Sequence, residues 1–230
     1  MVFRLDGGRV LTRNGLETGP LVFDDGVIVD GDGSDGTAID ARGLLALPGI
    51  VDLHGDGFER QVQPRPKVAF PIDVALRETD SQLISNGITT AYHGLTVSWE
   101  PGLRSVEAAR DFLASLRALR PGLSCDTKLH IRWETFALDV LEEVTGWLAD
   151  EPDPIFALND HTSPVMLGAA AQVRKLGSMA ARSGLVPEAY EALLAEVWAR
   201  RDAVPDAIER AAARVREAGA VLFAHDEDSP

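Results

Sequence analysis

The residues able to do chemistry in this chain recur at one kind of place, the end of an apolar run. His54 and Asp56 follow Gly49-Ile50-Val51-Asp52-Leu53; His130, Arg132 and Glu134 close the run that begins at Cys125. Asp160 and His161 follow Ile155-Phe156-Ala157-Leu158-Asn159, and His225 and Asp226 follow Val221-Leu222-Phe223-Ala224. His93 closes Ile88-Thr89-Thr90-Ala91-Tyr92, so all 5 histidines of the chain sit at such ends. Imidazole and carboxylate together suit a divalent transition ion: zinc, manganese, iron, cobalt or nickel, one ion or two. In His54-Gly55-Asp56 the two side chains are two residues apart, which on a strand points both to one side. Glu134, His161 and His225 would reach the same ion from separate strands. An ion so held lowers the pKa of a bound water and supplies hydroxide near neutral pH.

A single histidine at a strand end is more often a hydrogen-bonded structural residue, and His93 and His130 taken singly are as readily structural as functional. The repetition across successive runs carries the metal reading. Cys125, the only cysteine, opens a buried run and reads as core filling rather than a nucleophile. Competing chemistries lack their motifs: there is no Gly-x-Ser-x-Gly elbow and no Gly-x-x-x-x-Gly-Lys phosphate loop. Gly31-x-Gly33-x-x-Gly36 has the letters of a dinucleotide fingerprint but opens no helix and lies in an acidic turn. The same stretch, Asp30 to Gly36, resembles a calcium loop yet has Arg42 and Gly43 where the closing glutamate belongs.

The elements that must position these residues alternate. Residues 1–48 read as short strands broken by Asp6-Gly7-Gly8 and Asp24-Asp25-Gly26, both hairpin signals. From residue 49 the pattern becomes strand, loop, helix: a buried strand at 49–54 and a helix at 73–86, capped by Asp73 and stopped by Gly87. A strand at 88–93, a helix at 103–119, a strand at 125–133, a helix at 136–148 and a strand at 155–159 follow. A helical region spans roughly 165–217 with interruptions near Gly184 and Pro205, and 221–225 is a fifth strand. Alternation of this kind implies right-handed crossovers and a parallel sheet whose active site lies at the carboxyl ends of the strands. Five units fit an open doubly wound sheet or part of a (β/α)8 barrel.

Composition narrows the class. The formal net charge of −14 argues against nucleic-acid binding, which needs a basic surface. No segment approaches the ~18 apolar residues of a membrane span, and the first residues show no signal peptide. One cysteine excludes an internal disulfide and suits the cytoplasm.

The lead-in Asp40-Ala41-Arg42-Gly43-Leu44-Leu45-Ala46-Leu47-Pro48-Gly49-Ile50-Val51-Asp52-Leu53-His54 resembles the opening of an amidohydrolase-superfamily barrel after its N-terminal sandwich strands. The variant His54-Gly55-Asp56, with Phe58-Glu59-Arg60 and Pro64-Arg65-Pro66, is similar to the α-D-ribose 1-methylphosphonate 5-triphosphate diphosphatases of the carbon–phosphorus lyase pathway. Leu129 to Glu134, Asn159 to Thr162 and Ala224 to Asp228 agree with it. The resemblance implies a partial (β/α)8 barrel of α/β class, with about five βα units at 49–230, preceded by strands of a small β-sandwich domain at 1–48. It implies a metal-dependent hydrolase that splits pyrophosphate from the 5-triphosphate of a phosphorylated sugar. His54, Asp56, Glu134, His161 and His225 are then the metal ligands, Glu134 standing where many relatives place a carboxylated lysine. Arg65, Arg132, Lys67 and His130 become substrate contacts, the arginines because a planar guanidinium pairs two phosphate oxygens.

Two departures matter. After His161 the sequence reads Thr162-Ser163-Pro164-Val165-Met166 instead of the family's Gly-Gln run. The family barrel would also continue for roughly three more βα units, including an aspartate that binds metal and shuttles a proton. The expectation is therefore a truncated chain, or one that oligomerises or pairs with a complementing chain to cover open sheet edges. Asp226 or Asp228 would stand in for the missing base. Two other readings stay open: a cyclic-amide hydrolase or deaminase on the same scaffold, and an inactive remnant serving as an assembly partner.

Overall fold

A computed structural model describes residues 1–65 and 67–224, apart from the side chain of Gln172, so His225, Asp226 and Asp228 lie outside the described residues. Contacts divide the chain after Gly49. The first unit holds strands β1 (Val2–Asp6), β2 (Arg9–Thr12), β3 (Gly15–Thr18), β4 (Leu21–Asp24), β5 (Val27–Val29), β6 (Thr37–Asp40) and β7 (Leu45–Ala46). They form two sheets, ordered β5-β4-β1-β6 and β3-β2-β7. Asp25-Gly26 is the hairpin its sequence announces: both residues have positive φ, 50° and 81°, and β4 and β5 pair antiparallel across them. Asp6-Gly7-Gly8 is not. β1 pairs with β4 and β6 while β2 pairs with β3 and β7, so this turn passes the chain from one sheet to the other.

The second unit opens with β8 (Ile50–Gly55), α1 (Gly57–Val62) and α2 (Ile72–Ser85), followed by β9 (Ile88–Val97) and α3 (Val106–Leu119). β10 (Asp126–Glu134), α4 (Leu141–Gly146) and β11 (Ile155–Asn159) come next. Four helices then precede the last: α5 (Thr162–Met166), α6 (Ala170–Val173), α7 (Leu176–Arg182) and α8 (Pro187–Trp198). The described chain closes with α9 (Val204–Glu217) and β12 (Val221–Ala224). The strands pair in parallel in the order β12-β11-β10-β9-β8. Each strand lies beside its predecessor, so the order never reverses as it would in a doubly wound sheet. The result is a curled half of a (β/α)8 barrel.

Alternation along β10 separates its two faces. Leu129, Ile131 and Trp133 point toward the helices and are fully buried, while His130, Arg132 and Glu134 point to the concave side. The core lies between sheet and helices, where Phe112, Leu113 and Leu116 of α3 and Ala207, Ala211 and Val215 of α9 meet Leu129, Trp133 and Phe156. Both helices carry their apolar residues three and four apart, which is why each presents one buried stripe. Burial of each large side chain here contributes roughly 1.5–3 kcal/mol.

Several local expectations are corrected. Asp73 does not cap α2; Pro71 holds the N-cap position with no side-chain bond, and Asp73 falls in the first turn, where its charge suits the helix dipole. Residues 103–119 are a 3-10 turn followed by α3, because Ser105 caps the helix by accepting a bond from the Ala108 amide at 3.1 Å. Residues 136–148 likewise break into 3-10 turns around the short α4. Pro205 starts α9 rather than interrupting a helix, since its missing N–H would have no helical partner there. The strand expected at 49–54 to be buried is an edge strand with Ile50 56% exposed, and at the other edge Val221 is 53% exposed. His93 lies within β9, which runs on to Val97.

Candidate functional site

The concave face gathers its polar residues at the carboxyl ends of the strands. Glu134 ends β10 and is 3% exposed. Its carboxylate accepts from Nδ1 of His161 at 2.5 Å and from the His161 amide at 3.2 Å. Burial alone would raise the Glu134 carboxyl, but the His161 bond and charge overturn that and hold it below its ordinary value. The same bond raises His161 against the opposing effect of burial. His161 is placed by Asp160, whose carboxylate accepts from the amides of Thr162 and Ser163 at 3.0 and 2.8 Å and so starts α5.

A second pair lies across the sheet. The rings of His54 and His130 meet edge to face with centroids 4.9 Å apart. Nδ1 of His130 donates to the Leu53 carbonyl at 2.7 Å, which in the neutral ring makes Nε2 the nitrogen with the lone pair. Asp56 sits at the N-cap of α1 with an exposed side chain. Arg132 is 5% exposed and its stem crosses Gly94, where a Cβ would come within 3.3 Å of its Cδ. Burial, then the neighbouring Arg104, pulls the Arg132 guanidinium below its ordinary value. Arg65 and Lys67 lie instead on the exposed loop between α1 and α2, and among the described residues no bond ties them to the strand ends.

The donor set suits a divalent ion: a buried, ionised carboxylate whose oxygens each keep a lone pair, beside imidazole nitrogens. As they stand, no three His, Cys, Asp or Glu side chains among the described residues converge on one point. The arrangement is two pairs, Glu134 with His161 at the carboxyl end of β10, and His54 with His130, which lies at the middle of that strand.

What covers this edge was not legible as function. Trp99 donates from Nε1 to the Thr162 hydroxyl at 3.0 Å. Glu100, 5% exposed, accepts from Nη2 of Arg182 at 2.7 and 2.9 Å and from the Tyr190 hydroxyl at 2.6 Å. Burial and the Glu100 charge push the Tyr190 hydroxyl far up, so it remains a donor. Arg104 grips Glu59 through two bonds of 3.0 and 2.8 Å. Trp99, Glu100, Arg104, Arg182 and Tyr190, with Glu134 and His161, enclose a space for about one water molecule. An open cleft of about 540 Å³ lies beyond Trp99 and Glu100, floored by Phe136, Leu193 and Val197 with Glu107 and Glu196 among its lining.

His93 does not join either pair. It faces the helices, 2% exposed between Phe58 and Phe112, and burial lowers its pKa to about 4. Free in an unfolded chain the ring titrates near 6.5, so between these values the unfolded state binds more protons and stability falls as pH falls. The loss should accumulate to roughly 3 kcal/mol by pH 4. Urea unfolding of a His93→Leu variant should flatten this slope; an unchanged slope would assign the acid sensitivity to another group. Cys125 is buried and its thiol is pushed up to about 11, first by burial, which leaves it inert as core filling.

This architecture can be compared with known proteins. No family model matches the sequence. A solved D-hydantoinase structure aligns with 97% of this chain and 52% of its own length, at TM-score 0.51 and 19% identity. The dihydropyrimidinase of Brevibacillus agri NCHU1002 aligns over 97% of this chain and 51% of its own, at TM-score 0.47 and 15% identity. The half-barrel is a fold that this chain shares with that D-hydantoinase. The sequence is similar to the α-D-ribose 1-methylphosphonate 5-triphosphate diphosphatase of Escherichia coli (strain K12), 27% identical over 128 residues. That match takes in 54% of this chain and 34% of the relative, so the chain spans only part of the length of the proteins it resembles.

Proposed function

We propose that the chain carries the ligands of a metal-dependent hydrolase, with the buried Glu134–His161 pair at the carboxyl edge of the half-barrel as the observation that carries the reading. His54, Asp56, Glu134, His161 and His225 would hold one or two divalent transition ions, zinc among them, which supply hydroxide near neutral pH when bound. Glu134 keeps the proton of His161 on Nδ1, leaving Nε2 as its ligating nitrogen. Arg132, a buried cation, would orient the anionic end of the substrate, with His130 beside it. Arg65 and Lys67 would meet the substrate only from the exposed loop. Asp226 would handle the proton of the attacking water.

For the substrate we favour the triphosphate of α-D-ribose 1-methylphosphonate 5-triphosphate, cleaved to release pyrophosphate in the cytoplasm. The relative's activity and the Arg132 cation support this choice. A cyclic amide is the second reading, and the apolar floor and acidic lining of the 540 Å³ cleft favour it, because they suit an uncharged ring better than a polyphosphate. The exposed apolar residues of β8 and β12 support pairing with a second copy or a complementing chain.

Elemental analysis of the purified protein, with turnover assayed on the triphosphate and on cyclic amides, tests these readings. Stoichiometric transition metal with pyrophosphate release is the expected result. Metal with amide opening alone would move the assignment to the second reading. Absence of metal would leave the inactive assembly partner.

A further inference from the structure

The concave face holds side chains whose polar atoms have no partner among the described residues although they are shut away from solvent. Thr96 on β9, Arg132 on β10 and Asn159 on β11 are 2%, 5% and 1% exposed. Among the described residues the Thr96 hydroxyl, Nε of Arg132 and both amide atoms of Asn159 make no hydrogen bond. Arg132 forms no ion pair with any described residue. Register puts the three on one face: Arg132 is opposite Thr96, and Asn159 is opposite Glu134, two residues along β10 from Arg132.

Buried polar groups in folded proteins nearly always have partners, and each exception needs a reason. Three on adjacent strands, beside the best candidate centre, share one. A guanidinium N–H, a hydroxyl and a carboxamide N–H₂ are together donors for an oxygen-rich anion, and among the described residues the charges of Glu134, Glu59 and Asp56 reach Arg132 without any of these carboxylates bonding to it. Gly94 is part of the same construction, because any side chain there would press on the Arg132 stem.

We propose that Thr96, Arg132 and Asn159 form an oxyanion subsite that seats a phosphoryl or carboxylate group of the substrate across β9, β10 and β11. For its place beside a reacting centre the subsite rests on the hydrolase reading, but its affinity is measured without turnover. The probe is inorganic phosphate, titrated by calorimetry into the purified chain and its variants. Arg132→Gln and Asn159→Leu should each weaken phosphate binding about tenfold, and Thr96→Val a few-fold. Thr96→Val should also melt at or above the wild-type temperature, because it removes an unsatisfied group and keeps a similar volume. Thr127 is the internal control: its hydroxyl is also buried and without a partner among the described residues, but it faces the helices, so Thr127→Val should leave phosphate binding unchanged.

Wild-type protein that binds no phosphate would overturn the proposal, as would variants of Arg132 and Asn159 that bind it undiminished. A chain without metal or turnover that still binds phosphate through these residues would overturn the hydrolase reading and support the subsite. An active, metal-loaded chain whose phosphate affinity ignores both substitutions would do the reverse.

Discussion

Glu134→Gln should abolish stoichiometric metal and lower hydrolysis by more than about 100-fold, while the protein remains folded. The argument begins with burial. A carboxylate this enclosed stays ionised because the His161 ring and amide surround it and the Arg104 charge lies near, so its charge is kept at a cost that the fold itself has no need of. Gln preserves the volume and can still accept from the His161 amide, which is why the melting temperature should move little. It removes the charge that a divalent ion would require, and it weakens the bond that fixes the tautomer of His161. Metal content by elemental analysis and the thermal melt are read on the same sample. A variant that keeps its metal and its rate would take Glu134 out of the ligand set, whatever the remaining ligands do.

The second large effect is on stability. Glu100→Ala should cost on the order of 3 kcal/mol, the lower end of the range for breaking a buried ion pair, because the Arg182 side chain is 24% exposed and partly screened. Removal of Glu100 strands two donors at once, the Arg182 guanidinium and the Tyr190 hydroxyl, one at the end of α7 and the other in α8. Tyr190 also packs with Val165, Met179 and Leu194, so the loosening should spread through the helices that follow β11. Urea unfolding measures the loss, and hydrogen exchange should show it concentrated at 162–198. A shift below about 1 kcal/mol would mean that the apolar cluster alone holds these helices.

These two residues were not equally visible in advance. Glu134 announces itself by closing an apolar run in the company of His130 and Arg132, and alternation along a strand is enough to put all three on one face. Glu100 carries no such sign. Its partners are 82 and 90 residues away in sequence, and only the packing of α7 and α8 over the end of β9 brings them to it. Thr96 was hidden for a related reason. A strand read as ending at His93 leaves Thr96 in a loop, whereas β9 continues to Val97 and pairs with β10 as far as Trp133.

The sequence by itself determined the α/β class, the order of strands and helices in the second unit, and the edge of the sheet where polar residues collect. Hydrophobic periodicity and glycine or proline punctuation are local properties, and local physics decides them. Only the tertiary structure decided that the five strands lie in simple succession as a half-barrel, since a parallel sheet of either topology is built from the same βα units. It also decided, among the described histidines, which face the concave side and which does not. His93 and His130 occupy similar runs, but the register that sets Leu129 opposite His93 turns one ring into the helix-facing core, and alternation turns the other toward His54. The face a strand residue takes depends on which neighbour it pairs with and in what register, and no single strand contains that information.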